Sequence, residues 1–165
     1  MRYDTDALAK TVLEACRERG DRLATAESCT GGLVSAALTE IAGSSDVVLA
    51  GFVTYSNEAK VAMLGVSTDT LSSKGAVSEE VAIEMAQGAL ANSDADIAVS
   101  ITGIAGPGGS DHKPEGRVCF GLVRRGDSAQ STTRDFGALG RANVRLEAAF
   151  FALIALRESK LPALA

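Results

Sequence analysis

The sequence predicts an α/β fold, a three-layer α/β/α sandwich built on a mixed, mostly parallel sheet. Three observations predict it. Segments with apolar residues three or four apart alternate with short apolar runs. Those runs are too continuous to be half-solvated, as in strands covered on both faces. Late in the chain, two strand-like segments flank Gly126-Asp127, a dipeptide compatible with a hairpin turn, which adds antiparallel character.

The elements follow in order. Over 5–19, Leu8, Val12, Leu13, Ala15 and Cys16 share helix spacing, and Gly20 closes the helix. Residues 23–26 are short and extended. Residues 30–41 read as a helix opened by two glycines and ended by Gly43. The apolar run 47–55 reads as a buried strand. Residues 56–64 fit a short helix, and 66–76 a loop. Over 78–91 a strong helix is capped by Ser78, with Glu79 and Glu80 in its first turn, where acids favour the dipole. Residues 97–101 form a buried strand and 103–116 a loop of glycine, proline and charge. Strands over 118–124 and 131–136 and a closing helix over 142–158 complete the chain. No internal repeat, low-complexity tract or linker interrupts it, so one domain over 1–165 is expected.

Composition narrows the function. A chain of 165 residues, 46% hydrophobic and 22% charged, can bury a core without disulfides or a structural metal. The net charge of −5 lacks the basic footprint of nucleic-acid binding. Aromatics at 4% and no Trp argue against base-stacking platforms. Three cysteines without a CxxC pair fit a reducing, cytoplasmic setting. The first 20 residues are charged and helical in pattern, unlike a signal peptide, and no apolar run is long enough to cross a bilayer. No membrane partner is expected. Self-association through an apolar helix face stays open.

Four segments can carry chemistry. In 25–32, Thr-Ala-Glu-Ser-Cys-Thr-Gly-Gly, a strand gives way to a helix start. Free N–H groups and the positive dipole end gather there, so an oxygen nucleophile at Ser28 and an oxyanion beside Thr30, Gly31 and Gly32 are favoured. The plainer reading makes Ser28 or Thr30 an N-cap. In 51–60, Gly-Phe-Val-Thr-Tyr-Ser-Asn-Glu-Ala-Lys, a cap at Ser56 puts Lys60 in the first helical turn, where the dipole disfavours its charge. A neutral lysine can take a proton from a serine. The plainer reading is a solvated helix lysine.

In 102–110 glycines can present amides to an anion beyond the carboxyl end of a strand. No Walker A lysine follows, and a strand rather than a helix comes next, so no dinucleotide fingerprint applies. Arg141 and Arg145 lie four apart on one helix face and suit a phosphate. A flexible loop and a solvated helix start are the plainer readings of these two. The only histidine, His112, sits in a polar loop, which disfavours a histidine triad and a zinc site. Cys29, beside Ser28, is a rival nucleophile. Cys16 and Cys119 belong to the core. Glu27 has no evident partner for a two-carboxylate mechanism.

Taken in order, 26–32, Gly43-Ser44-Ser45, 51–60, 75–79 and 102–107 resemble the CinA C-terminal-domain family over nearly the whole chain. The resemblance implies a three-layer α/β/α sandwich. It also implies hydrolysis of nicotinamide mononucleotide to nicotinate mononucleotide and ammonia, without metal or cofactor. It implies a Ser28–Lys60 pair, with Tyr55 as a possible proton relay. Implied substrate-binding positions are Thr30, Gly31, Gly32, Ser45, Gly51, Thr102, Gly103, Gly106, Arg141 and Arg145. The chain departs from the family's Gly-Asp-Arg before the last helix, because 136–141 lacks the Asp and runs one residue longer. The rival reading is a non-catalytic mononucleotide-binding module, and the Ser28–Lys60 distance separates the two.

Overall fold

Side chains written into the sequence set four of the six α-helix starts among the described residues. Asp4 accepts the Ala7 amide and opens α1 (Thr5–Arg19), which Gly20 ends in the left-handed conformation. Ser56 opens α3 (Asn57–Leu64), Ser67 opens α4 (Thr68–Lys74) and Ser78 opens α5 (Glu79–Ala91). Two further helices, α2 (Leu33–Thr39) and α6 (Arg141–Glu158), begin at glycines without a side-chain cap. This computed structural model describes residues 4–110 and 112–163.

The strands are β1 (Leu23–Glu27), β2 (Val48–Val53), β3 (Ile97–Gly103), β4 (Arg117–Arg124) and β5 (Gln130–Asp135). They form one sheet in the order β2-β1-β3-β4-β5. The central strand β1 pairs parallel with both β2 and β3, and β4 and β5 add an antiparallel hairpin. Helices cover both faces, which is the predicted α/β/α sandwich. One core lies between the sheet and α1, α2 and α6, and includes Leu23, Ile97, Val99, Phe120 and Leu153. The other lies under α3 and α5 and includes Ala24, Ala26, Ala98, Leu64 and Met85. At the amino edge of β1, buried Asp21 accepts from both Arg19 and Arg124 and ties α1 to β4.

Three expectations need correction. The 66–76 loop contains α4, which has no fully buried side chain, only Leu71 partly buried against the core, and so shows no apolar period; its local signals are the Ser67 cap, Asp69 in the first turn and Gly75 at the end. The helix expected over 30–41 spans only Leu33–Thr39, because Gly31 (φ 59°) and Gly32 (φ 107°) are left-handed and outside it. The strand expected as buried over 47–55 is an edge strand. It pairs only with β1, and Leu49 and Val53 are 38% and 44% exposed.

Candidate functional site

The three parallel strands point their carboxyl ends at one edge, where open α/β sheets hold their ligands. Ser28 follows β1, Thr54 and Tyr55 follow β2, and the 104–110 loop follows β3. Alternation along β1 decides which face each side chain meets. Ala24 and Ala26 join the core under α3 and α5, and Ser28 continues that face toward α3. Leu23 and Cys29 join the opposite core. The Ser28 amide donates to the Ile101 carbonyl at 2.9 Å, which anchors the turn to β3.

Lys60, one turn into α3, is buried at 1% exposure. Its Nζ lies 2.9 Å from Ser28 Oγ, 2.9 Å from the Thr54 carbonyl and 3.1 Å from the Tyr55 carbonyl. The two carbonyls can only accept. A neutral amine satisfies them with its two protons and turns its lone pair toward the Ser28 hydroxyl. Burial pushes the Lys60 pKa below its usual value, which favours that neutral form. Burial drives the Cys29 thiol the other way, up to about 12, so it is protonated at neutral pH.

Glu27 holds the turn from behind. Its buried carboxylate accepts the Val34 and Ser35 amides at 3.0 and 3.1 Å and the Ser35 hydroxyl at 3.0 Å. It thereby satisfies orphan amides at the start of α2. Thr25 Oγ1 lies 2.5 Å from Ser35 Oγ and extends the network. Gly51 is needed here for packing, since a Cβ at that position would sit 2.4 Å from Ser35 Oγ.

A cavity of about 180 Å³ opens over Ser28 and Lys60, lined also by Tyr55, Asn57, Thr102, Gly103 and Arg141. That is below the ~300–1,000 Å³ of pockets enclosing a drug-sized ligand, and suits one ring. It adjoins a second cavity of about 320 Å³ lined by residues 103–110, Lys113 and Arg141. Arg141 joins the two walls: it donates to the Tyr55 hydroxyl at 2.9 Å and to the Gly106 carbonyl at 2.8 Å. Thr102 donates to the Ala76 carbonyl at 2.8 Å and fixes the far wall. Lys113 donates to the carbonyls of Lys74 and Val77 at 2.8 and 2.5 Å, so its charge is held at the rim.

Of the positions expected to bind substrate, Thr102, Gly103, Gly106 and Arg141 line these cavities. Ser45 lies in the 3₁₀ turn Ser44–Asp46 that precedes β2, at the edge of the sheet opposite Ser28. Thr30, Gly31, Gly32, Gly51 and Arg145 line neither cavity. Thr30 Oγ1 is buried without a partner, and the Gly31 amide closes a turn onto the Ser28 carbonyl at 3.0 Å. Arg145 donates to the Cys29 and Thr30 carbonyls at 3.1 and 3.3 Å. The Thr54 and Tyr55 carbonyls were not legible beforehand, because main-chain acceptors leave no mark in a sequence. Lys113 carries no local signal either, because its role at the rim comes from carbonyls of Lys74 and Val77 far away in the chain.

A model of the CinA C-terminal domain matches residues 5–160. A nicotinamide-nucleotide amidohydrolase of Escherichia coli K12 is 51% identical over 148 residues, covering 88% of each chain. A CinA-like protein of Kosmotoga olearia is 48% identical over 95% of this chain. A putative competence-damage inducible protein of Symbiobacterium thermophilum is 56% identical over 74% of it. The matched stretches span only 38% and 29% of those two longer proteins. The crystal structure of a competence/damage-inducible protein of Agrobacterium tumefaciens superposes with TM-score 0.89. It is 48% identical and covers 94% of this chain and 97% of that one. No helix among the described residues is long and apolar enough to cross a membrane.

Proposed function

The chain belongs to the CinA C-terminal domain family, and from that premise we propose that it hydrolyses the carboxamide of nicotinamide mononucleotide, giving nicotinate mononucleotide and ammonia. The observation that carries the reading is the buried Lys60 amine 2.9 Å from Ser28 Oγ with two carbonyls on its other sides. That separation favours catalysis over a module that only binds a mononucleotide. The 51% identical amidohydrolase of Escherichia coli supports the substrate.

The chemistry is acyl transfer. Neutral Lys60 takes the Ser28 proton as Oγ forms a bond to the carboxamide carbon. The carbonyl oxygen becomes an oxyanion beside the Thr30 amide, which no main-chain acceptor holds among the described residues. The C–N bond breaks, and Lys60 returns its proton to the leaving ammonia. A water then attacks the acyl-enzyme, with Lys60 taking its proton and passing it back to Ser28. The pyridine ring occupies the smaller cavity, and ribose and phosphate extend toward Lys113 and Arg141. The cycle uses no metal and no cofactor.

The test is direct. Purified protein, with chelator present, is incubated with nicotinamide mononucleotide beside Ser28→Ala and Lys60→Ala. Chelator-resistant nicotinate mononucleotide from the wild type, absent from both variants, is expected. Folded wild-type protein that binds the nucleotide without turnover would overturn the reading.

A further inference from the structure

Arg145 reaches the nucleophile turn from the face of the sheet opposite Ser28. It lies on α6, which packs in the core that holds Cys29, whereas Ser28 faces α3. Its Nε and Nη2 donate to the carbonyls of Cys29 and Thr30 at 3.1 and 3.3 Å. Gly31, at φ 59°, gives this approach room, since a Cβ there would stand 3.3 Å from Arg145 Nη2. The Cys29 carbonyl and the Thr30 N–H belong to one planar peptide group and point in opposite directions. A guanidinium gripping the carbonyl on one face therefore turns the N–H toward the other. Pulling charge toward the carbonyl oxygen also strengthens the donor at the far end of the same group.

We propose that Arg145 is a positioning residue for the oxyanion site: by holding the Cys29 and Thr30 carbonyls it aims and polarises the Thr30 amide. The inference rests on the amidase reading above and gives Arg145 a role other than binding substrate phosphate. The two roles predict different kinetics. A phosphate ligand acts on KM, and only for a substrate that carries phosphate. An oxyanion-positioning residue acts on kcat, whatever lies beyond the amide. Losing an oxyanion donor outright costs about 100- to 1,000-fold in kcat. Misaiming one costs less, about 10- to 100-fold.

The experiment compares wild type, Arg145→Ala and Arg145→Lys on nicotinamide mononucleotide and on nicotinamide riboside, which lacks the phosphate. Rates are taken per folded molecule, counted by thermal unfolding. Expected for Arg145→Ala is a similar kcat loss on both substrates with KM nearly unchanged, and partial recovery in Arg145→Lys. A second readout is independent of the natural substrate. A fluorophosphonate phosphonylates Ser28, forming P–O, releasing fluoride and placing its phosphoryl oxygen in the oxyanion site. Labelling by intact mass should slow about tenfold or more in Arg145→Ala and vanish in Ser28→Ala. A KM increase confined to the mononucleotide, or unchanged labelling of folded Arg145→Ala, would overturn the positioning role. Inactivity of the wild type on both amides with labelling still dependent on Arg145 would overturn the substrate assignment and leave the positioning role standing.

Discussion

The protonation of Lys60 governs both catalysis and stability, and its burial gives each a direction. In an unfolded chain this lysine titrates near 10.5, and in the fold burial lowers that value. Between the two values the unfolded chain holds a proton that the folded chain has released, so stability rises with pH in that window. Below the window both states are protonated, and the fold carries the full cost of a buried ammonium. Above 10.5 both are neutral, and that cost is gone. The slope inside the window is about 1.4 kcal/mol per pH unit. Lys60→Met lacks it. That variant also leaves the Thr54 and Tyr55 carbonyls without a donor, at about 1–3 kcal/mol each, but this loss does not vary with pH. The stability of wild type minus that of Lys60→Met therefore climbs with pH inside that window and is level on either side of it, whatever its starting sign. Denaturant unfolding of both proteins from about pH 6 to 11 measures it, and the contributions of other titrating groups cancel. In parallel, kcat/KM of the wild type should rise tenfold per pH unit on its acid limb and level off below 10.5. A stability difference flat in pH, or an acid limb centred at or above 10.5, would refute the argument that burial neutralises Lys60 and makes it the base.

Other outcomes follow from the same contacts. Iodoacetamide at pH 8 should leave native Cys29 unmodified, since burial keeps its thiol protonated, and Cys29→Ser should keep most activity; loss of turnover in that variant would move the nucleophile to sulfur. Glu27→Gln puts an amide donor against the three donors from Val34 and Ser35. It should cost about 1–3 kcal/mol, which thermal unfolding reads as a lower Tm, and kcat should fall with it as the Ser28 turn loosens. Thr54→Val removes a buried hydroxyl that has no partner while keeping the main-chain carbonyl that Lys60 uses. It should raise Tm by about 2–4 °C per kcal/mol of relieved desolvation, and a lowered Tm would mean that the hydroxyl is satisfied after all.

Much of the frame was legible along the chain. The caps at Ser56 and Ser78, the stop at Gly20, the short extended segment at β1 and the buried run at β3 are local signals, and the structure keeps them. The helix α4 escaped because one partly buried apolar residue, Leu71, writes no apolar period. The edge position of β2 escaped because composition cannot say which strand lies outermost. Ser28 and Lys60 were legible as chemical types at a helix start and in a first turn.

The alternation of elements, the residues at each strand's carboxyl end and a pattern shared with one family are all written along the chain. The contacts that define the site come from the folded arrangement alone. Ser28 and Lys60 are 32 residues apart, and their 2.9 Å approach exists because parallel pairing of β1 and β2 brings both strand ends to one edge. The same packing takes Ser45 to the far edge and turns Arg145 from the cleft to the back of the nucleophile turn. Local patterns report what each segment can bury or cap. Which groups meet depends on strand order and on the face each residue takes, and those are properties of the assembled sheet.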